Sequence, residues 1–402
     1  MRLGLLAGSP MYYQAPLYRL LAEDPRLDFT ALFASSGGVT AHDHGFGQSV
    51  VWDVDVLSGY RSEFLARADK NPIDGPPWAL RGRDAYTKVR ARRFEVLWLH
   101  GYVHLTHALA AVAQRRNHGR LMYREEQTLL HERGRARGRL KELLIPRLFA
   151  STYALYIGTE NRRWFERWGV PAERQVFVPY VVDNNRIRRQ VDELRPAREH
   201  LLAKIGIKPG TGPVIVCVGR LVPKKDHATL IRAFAAVRAT QACHLVLTGS
   251  GPLEEELRSL VEQQRIPDVH FTGFVNQSEI AEAYVVADVF ALASKEHETW
   301  GLVVNEAMAA GLPVVVTRTV GSSTDLVDDG MNGYVVEPGD IAALTRALGL
   351  LVADPDLRAM FSARSRVKIE AWTPRHAADG VLEAVADAVG PERWARASER
   401  VS

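Results

Sequence analysis

The sequence predicts an α/β protein built from two doubly wound, Rossmann-like domains. Three observations lead to this expectation. The chain has 402 residues, which suits two domains of about 150–200 residues better than a single core. Short, nearly continuous apolar runs alternate with longer segments whose apolar residues recur at helical spacing. The alternation occurs in both halves of the chain, and alternating strands and helices form parallel sheets with right-handed crossovers.

The apolar runs give the expected strands, six in each half of the chain. They are 2–7, 29–34, 94–99, 120–123, 153–158 and 176–179, then 214–219, 244–248, 269–272, 289–293, 313–317 and 334–336. We expect the domain boundary near 184–209, where a charged, apolar-poor stretch leads to KPGTGP, whose Pro and Gly residues punctuate the chain before a new strand. We therefore place the first domain at 1–190 and the second at 191–372.

The composition indicates a soluble globular protein, with 47% hydrophobic and 24% charged residues. Cys217 and Cys243 lie inside apolar runs, which favours small buried hydrophobic residues over a disulfide or a metal site. MRLGLLAGSP is interpreted as the first strand rather than a signal peptide. No apolar run reaches the ~18–20 residues that a membrane span needs. These observations predict a cytoplasmic protein.

The two halves of the chain differ in charge. Residues 1–190 contain 29 Lys and Arg against 19 Asp and Glu, whereas the remainder contains 22 against 28. A basic half joined to an acidic half suggests that the basic half meets an anionic partner. The alternative is an ordinary solvated surface.

The strongest chemical signal is a pair of glutamates around a glycine. In SKEHETWGLVVNEAMAAGLP, Glu298 is expected in a loop and Glu306 in the first turns of a helix. The backbone amides of Gly301, Leu302 and Val303 would then be hydrogen-bond donors for a phosphate at the helix start. Ionised carboxylates accept hydrogen bonds from sugar hydroxyls. The pattern suits a sugar on one side of a diphosphate and a ribose on the other, although acidic residues also simply favour helix starts.

Two cations follow an earlier strand. Arg220 and Lys225, in VGRLVPKKD, lie where open α/β sheets bind ligands. A guanidinium fork and an ammonium suit a diphosphate and would neutralise it as a leaving group without a metal, although the loop could also carry scattered positive charge. LTGSGPL places Gly249 in a weak phosphate-loop pattern, and FTGFV places the amides of Phe274 and Val275 where they could pair with a base.

In this order the motifs resemble glycosyltransferase family 4, a family of the GT-B fold. The resemblance covers 214–354 and rests on VGRLVPKKD, LTGSGPL, FTGFV, the two glutamates with EAMAAGLPVV, and DLVDDGMNGYVVEPGD. It implies two domains that face each other across a cleft, with a helix at about 373–402 that crosses back to the first domain. One departure is Asp226, where the family usually has Gly.

The resemblance also implies an activity and residue roles. The activity is metal-independent sugar transfer from a nucleotide diphosphate sugar, with retention at the anomeric carbon. Arg220 and Lys225 would hold the diphosphate, Glu306 the ribose and Glu298 the donor sugar, and Trp300 joins the donor-binding candidates. The nucleotide sugar, with UDP favoured, is a co-substrate, and we expect no cofactor. The acceptor is not specified; a lipid-linked molecule, a natural product or a polysaccharide would fit.

The first half is similar to a bacterial subset of the family through GSPMYYQAPLYRLLA, WDVDVLSGY, LHGY, YREEQT and GTENRRWFERWGVP. In many relatives a His follows the strand that corresponds to 120–123 and lies near the donor sugar. This sequence has REE there, and we align Glu126 with that His. His100, at the end of another strand, is the second polar candidate, although it could be a structural histidine. Gly8, after the first strand, is included among the donor-binding residues.

Asp53 and Asp55 form an Asp-x-Asp pair, a pattern that can hold a metal. Here the pair lies inside VVWDVDVL, a strand-like alternation that would send both carboxylates to one solvated face. We therefore predict no metal site.

Two other classes of function remain open from the sequence. The basic segments RGRDAYTKVRARRF and ERGRARGRLKELLIPRLF could bind nucleic acid by counterion release. They show little of the aromatic interleaving that stacking on single strands needs, so we do not expect a nucleic-acid partner. A GT-B-fold epimerase or phosphorylase would share the same motifs.

The second basic segment also raises the question of membrane attachment. Within 133–148, four leucines recur at helical spacing among six cations: Leu140, Leu143, Leu144 and Leu148 with Arg133, Arg135, Arg137, Arg139, Lys141 and Arg147. Such a helix could lie on an anionic membrane surface, at the inner face of the cell membrane. Because the apolar stripe is short, we favour the alternative that the leucines pack into the first domain.

Overall fold

The computed structural model describes residues 1–37, 39, 51–70, 82–131, 145–296 and 298–399. These residues form two compact units, each built on one parallel sheet. The described residues up to Val181 and those from Pro374 onward belong to the first unit, and the residues from Val182 to Thr373 belong to the second.

The first unit contains a parallel sheet of seven strands in the described part of the chain, in the order β3-β2-β1-β4-β5-β6-β7. The strands are β1 Arg2–Ala7, β2 Asp28–Phe33, β3 Arg61–Phe64, β4 Val96–His100, β5 Arg120–Arg124, β6 Tyr153–Tyr156 and β7 Gln175–Phe177. The helices are α1 Ala15–Glu23, α2 Asp84–Arg92, α3 Leu105–Arg116, α4 Thr159–Arg167, α14 Pro374–Val389 and α15 Pro391–Glu399. The central strands are buried almost throughout, as expected of strands covered on both faces.

The second unit repeats the design with six strands among the described residues, in the order β10-β9-β8-β11-β12-β13. They are β8 Val214–Val218, β9 His244–Thr248, β10 Val269–Gly273, β11 Val289–Leu292, β12 Val314–Thr317 and β13 Gly333–Val336. The helices are α5 Asn184–Leu194, α6 Arg198–Lys204, α7 His227–Arg238, α8 Glu254–Gln263, α9 Ile280–Val286, α10 Leu302–Ala309, α11 Ser323–Leu326, α12 Ile341–Ala353 and α13 Pro355–Ile369. Short 3₁₀ helices occur at Ala68–Lys70, Leu129–His131, Ala172–Arg174, Arg195–Ala197 and Pro223–Lys225.

Each sheet has a point where the strand order reverses direction. In the first unit β1 pairs with β2 on one side and β4 on the other, and in the second unit β8 pairs with β9 and β11. The loops that leave the two strands on either side of such a point diverge, which opens a crevice at their carboxyl ends. Each unit therefore offers a crevice at one place on its own sheet.

All twelve expected strands are present, and the structure adds β3, which the sequence reading missed. This edge strand, RSEF, carries no apolar run. It pairs with β2 through its backbone, and its charged side chains pair at the surface: Arg61 with Asp28 at 2.8 Å and Glu63 with Lys88 at 3.0 Å. Charged residues are common on edge strands because they discourage pairing with another chain.

The boundary between the units lies between Val181 and Val182 rather than after residue 190. The reason is that α5 spans the predicted boundary and belongs to the second unit. Arg186 on this helix donates to the backbone carbonyl of Gln277 at 2.6 Å, and Arg198 on α6 pairs with Asp288 at 2.9 Å. These contacts fasten the charged stretch to the second unit.

The carboxyl-terminal helices belong to the first unit. α14 begins at Pro374, at the position expected for a first-turn proline. Tyr153 donates to the backbone carbonyl of Asp387 at 3.0 Å, and Arg393 on α15 pairs with Glu95 at 2.8 Å. In the part of the chain that the structure describes, no helix has the length and apolarity to cross a membrane.

Candidate functional site

The loop after β8 carries Arg220 and Lys225. Because β8 borders the strand-order reversal of the second sheet, this loop lies beside the one that leaves β11. The two loops are joined directly, since the Lys295 amide donates to the carbonyl of Lys224 at 2.9 Å. Arg220 is half-buried and Lys225 is buried.

Lys225 and Glu298 form a buried ion pair between these loops. Lys225 Nζ lies 2.5 Å from Glu298 Oε2, and the two side chains are only 9% and 10% exposed. Ser294 Oγ donates to the same oxygen at 3.3 Å. Burial alone would raise the pKa of Glu298, but the charges of Lys225 and Lys224 and the two hydrogen bonds hold it below its ordinary value. Glu298 is therefore a fixed carboxylate.

Gly249 allows the loops after β8 and β9 to run against each other. Its φ is +138°, and a Cβ at this position would lie 2.0 Å from the carbonyl oxygen of Gly219. The contact excludes any side chain there. Phe274 and Val275, the other candidates at this end of the sheet, are half-buried directly after β10.

Gly301 precedes α10 in the left-handed conformation, with φ of +86°. The helix begins at Leu302, so the amides of Leu302 and Val303 lie in its first turn, as the sequence predicted. Trp300 is buried: its ring stacks on Trp372 with centroids 5.0 Å apart, and its indole N–H donates to Asn305. The Trp300 side chain therefore packs inside the unit, which leaves its backbone for any donor contact.

Glu306 lies in the middle of α10 and is almost fully buried. The Tyr284 hydroxyl donates to Glu306 Oε2 at 2.6 Å. The other oxygen, Oε1, is buried and has no hydrogen-bond partner among the described residues. Burial raises the pKa of Glu306, although Tyr284 and the charge of Arg186 act in the opposite direction. A buried acceptor without a partner is costly, which marks Oε1 as a position that a ligand hydroxyl could satisfy.

The backbone conformation of Asp226 explains how an aspartate can stand where the family usually has Gly. It adopts the left-handed conformation with φ of +46°, a backbone region where Gly is favoured and Asp is tolerated. Its carboxylate accepts a hydrogen bond from Thr229 Oγ1 at 2.9 Å. The aspartate thus takes the backbone role of a glycine, and its carboxylate bonds a side chain in the first turn of α7.

In the first unit, His100 and Glu126 come together at the strand-order reversal of the sheet. His100 ends β4 and Glu126 follows β5, and His100 Nε2 lies 3.0 Å from Glu126 Oε1. Gln14 Nε2 lies 3.2 Å from His100 Nδ1, and Tyr18 donates to Gln14 Oε1. Since the amide of Gln14 can only donate, Nδ1 accepts and Nε2–H of the neutral ring donates to Glu126. The ring is thus held in one tautomer.

Two adjacent glutamates of this unit have opposite pKa shifts. Burial would raise the pKa of Glu126, but the hydrogen bond from His100, the charge of Arg124 and the hydrogen bond from Tyr180 hold it below its ordinary value. Glu125 is buried, and desolvation together with the charge of Glu126 raises its pKa to about 8. Glu126 is therefore ionised near neutral pH while Glu125 is largely protonated.

The remaining first-unit candidates occupy less crowded positions. Gly8 directly follows β1, and nothing described lies within 4 Å of where its side chain would project.

The strand-like interpretation of Asp53 and Asp55 is wrong. Their segment forms bends and turns, in which Asp55 accepts hydrogen bonds from the amides of Leu57 and Ser58 at 3.1 Å each. Both carboxylates are exposed.

Most of the basic segment at 133–148 lies outside the described residues. Of its four leucines the structure describes Leu148, which packs against the hydrophobic core of the first unit. Arg147 beside it is exposed.

Several partners of the site residues gave no signal in the sequence. Tyr284 sits within an apolar helix, Gln14 and Tyr18 start an ordinary amphipathic helix, and Ser294 follows a buried strand. None was expected to be a site residue, because each acts by orienting another side chain.

Residues 200–368 match the family model for glycosyl transferases group 1. A GDP-mannose-dependent alpha-(1-6)-phosphatidylinositol monomannoside mannosyltransferase of Mycolicibacterium smegmatis is 34% identical over 204 residues. The second unit of this chain is therefore similar to the group 1 glycosyl transferases. The alignment covers 49% of this chain and 52% of the mannosyltransferase, so the chain spans about half the length of that relative.

Solved structures of other proteins share the fold of this chain. Anabaena HepE in complex with UDP and glucose has a TM-score of 0.71 at 15% identity, covering 96% of this chain and 99% of HepE. A glycosyltransferase from Rickettsia africae has a TM-score of 0.75 at 13% identity, with 96% and 98% covered. The prediction of a GT-B protein with two Rossmann-like domains is confirmed, and so is the resemblance to glycosyltransferases.

Proposed function

We propose that the chain transfers a sugar from a nucleotide diphosphate sugar to an acceptor. The observation that carries the proposal is the buried, unpartnered Oε1 of Glu306. A ribose hydroxyl is a neutral hydrogen-bond donor that fits this acceptor. Glu298, the other carboxylate of the motif, is held in place by its ion pair with Lys225 and could accept hydrogen bonds from hydroxyls of the donor sugar.

Arg220 and Lys225 would hold the diphosphate between these two carboxylates. An ammonium has three donors, so Lys225 can keep its bond to Glu298 and still donate to a phosphate oxygen. The amides of Leu302 and Val303 add donors at the positive end of α10. Together these groups would stabilise the charge that develops on the leaving diphosphate.

The transfer step would proceed with retention and without a protein nucleophile. The departing phosphate would take up the acceptor proton on the same face of the sugar, and the protein would supply orientation and charge stabilisation. In the first unit, the tautomer-locked His100 and the ionised Glu126 would orient polar groups of the substrates. Gly8, with open space at its Cα, would allow a close approach of substrate to the backbone.

A lipid-linked acceptor is the class that the first unit supports best. The Mycolicibacterium smegmatis relative is a mannosyltransferase named for a phosphatidylinositol monomannoside, which is a glycolipid. Arg90, Arg93 and Arg116 line one surface pocket of this unit together with Tyr86, and Arg116 lies over the Tyr86 ring. Guanidinium groups beside an aromatic ring suit an anionic headgroup. We propose peripheral attachment to anionic membrane through this pocket, at the cytoplasmic face.

Vesicle co-sedimentation tests the attachment. Replacing Arg90 and Arg116 with Ser should reduce binding to vesicles that contain anionic lipid, whereas replacing the exposed Arg232 and Arg346 of the second unit should not. If both variants bind the vesicles equally, or if the unaltered protein does not bind them at low salt, this pocket is not a membrane-binding surface.

A ligand screen followed by a turnover assay tests the activity. UDP-, GDP-, ADP- and dTDP-sugars are compared by thermal shift, because a ligand that binds only the folded state raises the melting temperature. The stabilising donor is then incubated with and without candidate acceptors. Nucleoside diphosphate released only when acceptor is present supports transfer. Release that requires inorganic phosphate in place of the acceptor would favour a phosphorylase, and conversion of the sugar on the nucleotide would favour an epimerase.

A further inference from the structure

Two histidines and an aspartate cluster in the second unit, at the opposite end of the sheet from the candidate donor site. His244 is the first residue of β9, Asp268 directly precedes β10, and His270 is the second residue of β10. The donor-site loops leave the carboxyl ends of these strands, whereas the cluster lies at their amino ends. Five residues of β9 separate the two ends by about 13 Å.

The strand register brings the two histidines to the same face of the sheet. His270 pairs with Val246, and Val246 shares a face with His244 because side chains alternate along a strand. His244 Nδ1 and His270 Nε2 lie 3.3 Å apart. Two imidazole nitrogens bound to one tetrahedral Zn²⁺ at about 2.05 Å are separated by about 3.3 Å. The observed distance is therefore the one that a shared ion requires.

The hydrogen bonds around His244 fix where its lone pair points. The Thr211 hydroxyl donates to the carbonyl of Lys208 at 2.6 Å and lies 2.8 Å from His244 Nε2. Because that hydroxyl proton is already used, Nε2–H donates to Thr211. In the neutral ring Nδ1 then carries the lone pair, directed at His270. A metal-binding histidine commonly has its second nitrogen anchored in this way.

Asp268 supplies the third ligand atom. Its Oδ2 accepts from Arg238 Nε at 2.6 Å, while Oδ1 lies 3.8 Å from His244 Nδ1. One ligand atom from each of the three residues falls within 4.8 Å of the other two. Arg238 thus holds the carboxylate by one oxygen and leaves the other turned to the histidines.

We propose that His244, Asp268 and His270 bind one Zn²⁺ ion or a similar late first-row divalent ion, with a fourth position open to water. Two imidazoles disfavour Mg²⁺ and Ca²⁺, which take oxygen ligands. Asp268 retains 31% of its side-chain exposure, which provides a route for the ion. The ion clamps β9 to β10 and takes no part in the chemistry at the other end of the sheet. The ligands come from separate strands, so the sequence offered no local metal motif.

Titration with Co²⁺ tests the proposal directly on the intact, chelator-treated protein. A tetrahedral site gives visible absorption that saturates at one Co²⁺ per chain and disappears when Zn²⁺ displaces it. His270→Gln and Asp268→Asn each remove a ligand and should weaken Co²⁺ binding at least tenfold. Thr211→Val removes the hydrogen bond that orients the His244 ring and should weaken Co²⁺ binding about 10- to 100-fold. His200→Ala, an exposed histidine of the same unit, is the matched control and should titrate as the unaltered protein does.

The result that overturns the proposal is the absence of a saturable Co²⁺ signal in the unaltered protein, or the same titration curve in His270→Gln. Circular dichroism checks the fold of each variant. If His270→Gln does not fold, the Co²⁺ titration of Asp268→Asn tests the proposal instead. This variant should fold because the Asp268 side chain is partly exposed. Zn²⁺ should raise the melting temperature of the unaltered protein and leave nucleotide affinity unchanged. The outcome does not depend on whether the proposed transferase activity is correct.

Discussion

Replacing Glu306 with Gln should weaken nucleotide binding without weakening the fold. The glutamine carbonyl oxygen can accept the hydroxyl of Tyr284 as Glu306 Oε2 does at 2.6 Å. The other oxygen has no partner among the described residues, so no bond is lost there. Burial raises the pKa of Glu306, and a neutral amide avoids that burial cost. We expect the free energy of unfolding to change by less than about 1 kcal/mol.

The loss of affinity follows from the charge. A hydrogen bond to a charged group contributes about 1.5–3 kcal/mol and one to a neutral group about 0.5–1.5 kcal/mol. Two ribose hydroxyls on the carboxylate would therefore lose about 2–3 kcal/mol when Glu306 becomes Gln. Since about 1.4 kcal/mol corresponds to a factor of ten, Kd should rise roughly 30- to 150-fold.

Calorimetry with two ligands isolates this effect. The nucleoside diphosphate chosen by the screen is compared with its 2′,3′-dideoxy form. The unaltered protein should bind the dideoxy form far more weakly, whereas Glu306→Gln should discriminate little between the two. Glu256→Gln, at an exposed position of α8, is the control. If Glu306→Gln unfolds several kcal/mol more easily yet keeps both affinities, Glu306 is structural and the ribose assignment is wrong.

Three further changes test the neighbouring groups. Arg220→Ala should cost about 2–4 kcal/mol of transition-state stabilisation, measured as kcat/KM, and an unchanged value would exclude it from the diphosphate. Glu298→Gln should lower the free energy of unfolding by about 3 kcal/mol in urea titrations, because Lys225 keeps a buried charge; an unchanged midpoint would contradict the ion pair. Burial and Glu126 raise the pKa of Glu125 from 4.5 to about 8, so the folded state binds more protons between these values and the free energy of unfolding falls as pH rises through that window. Glu125→Gln should remove that fall, and an identical pH profile would show that Glu125 titrates normally.

The architecture could be predicted because it depends on periodicity. Buried parallel strands have to be apolar on both faces, so β8, β9 and β12 stand out as short apolar runs between helical patterns. β3 could not be found this way, since it is a short, mostly polar edge strand that pairs with β2 through its backbone. The domain boundary was displaced for a similar reason. The charge of α5 suggested a linker, whereas its arginines bind backbone carbonyls of the second unit.

The site could be predicted only where a motif has a local cause. The left-handed Gly301 and the start of α10 follow from the sequence because a glycine before an apolar helix is a local signal. The pairing of Lys225 with Glu298 is not local, since it depends on β8 and β11 being neighbours across the strand-order reversal. The anchoring of His100 by Gln14 depends on tertiary packing in the same way.

The two glutamates of the motif show why residue spacing alone does not assign a role. Glu298 lies in the loop after β11, where the lysines of the β8 loop lower its pKa. Glu306 lies on α10, where Tyr284 is its described hydrogen-bond partner and burial raises its pKa. One carboxylate is therefore charged and fixed before any ligand arrives, whereas the other has an oxygen that only a ligand would satisfy. Hydroxyl groups gain more from the second environment, because the bond they form there ends the cost of a buried, unpartnered acceptor. If the proposed transfer is correct, we expect Glu306 to contribute mainly to binding the donor, and Glu298 to contribute mainly to holding Lys225 and the sugar in position.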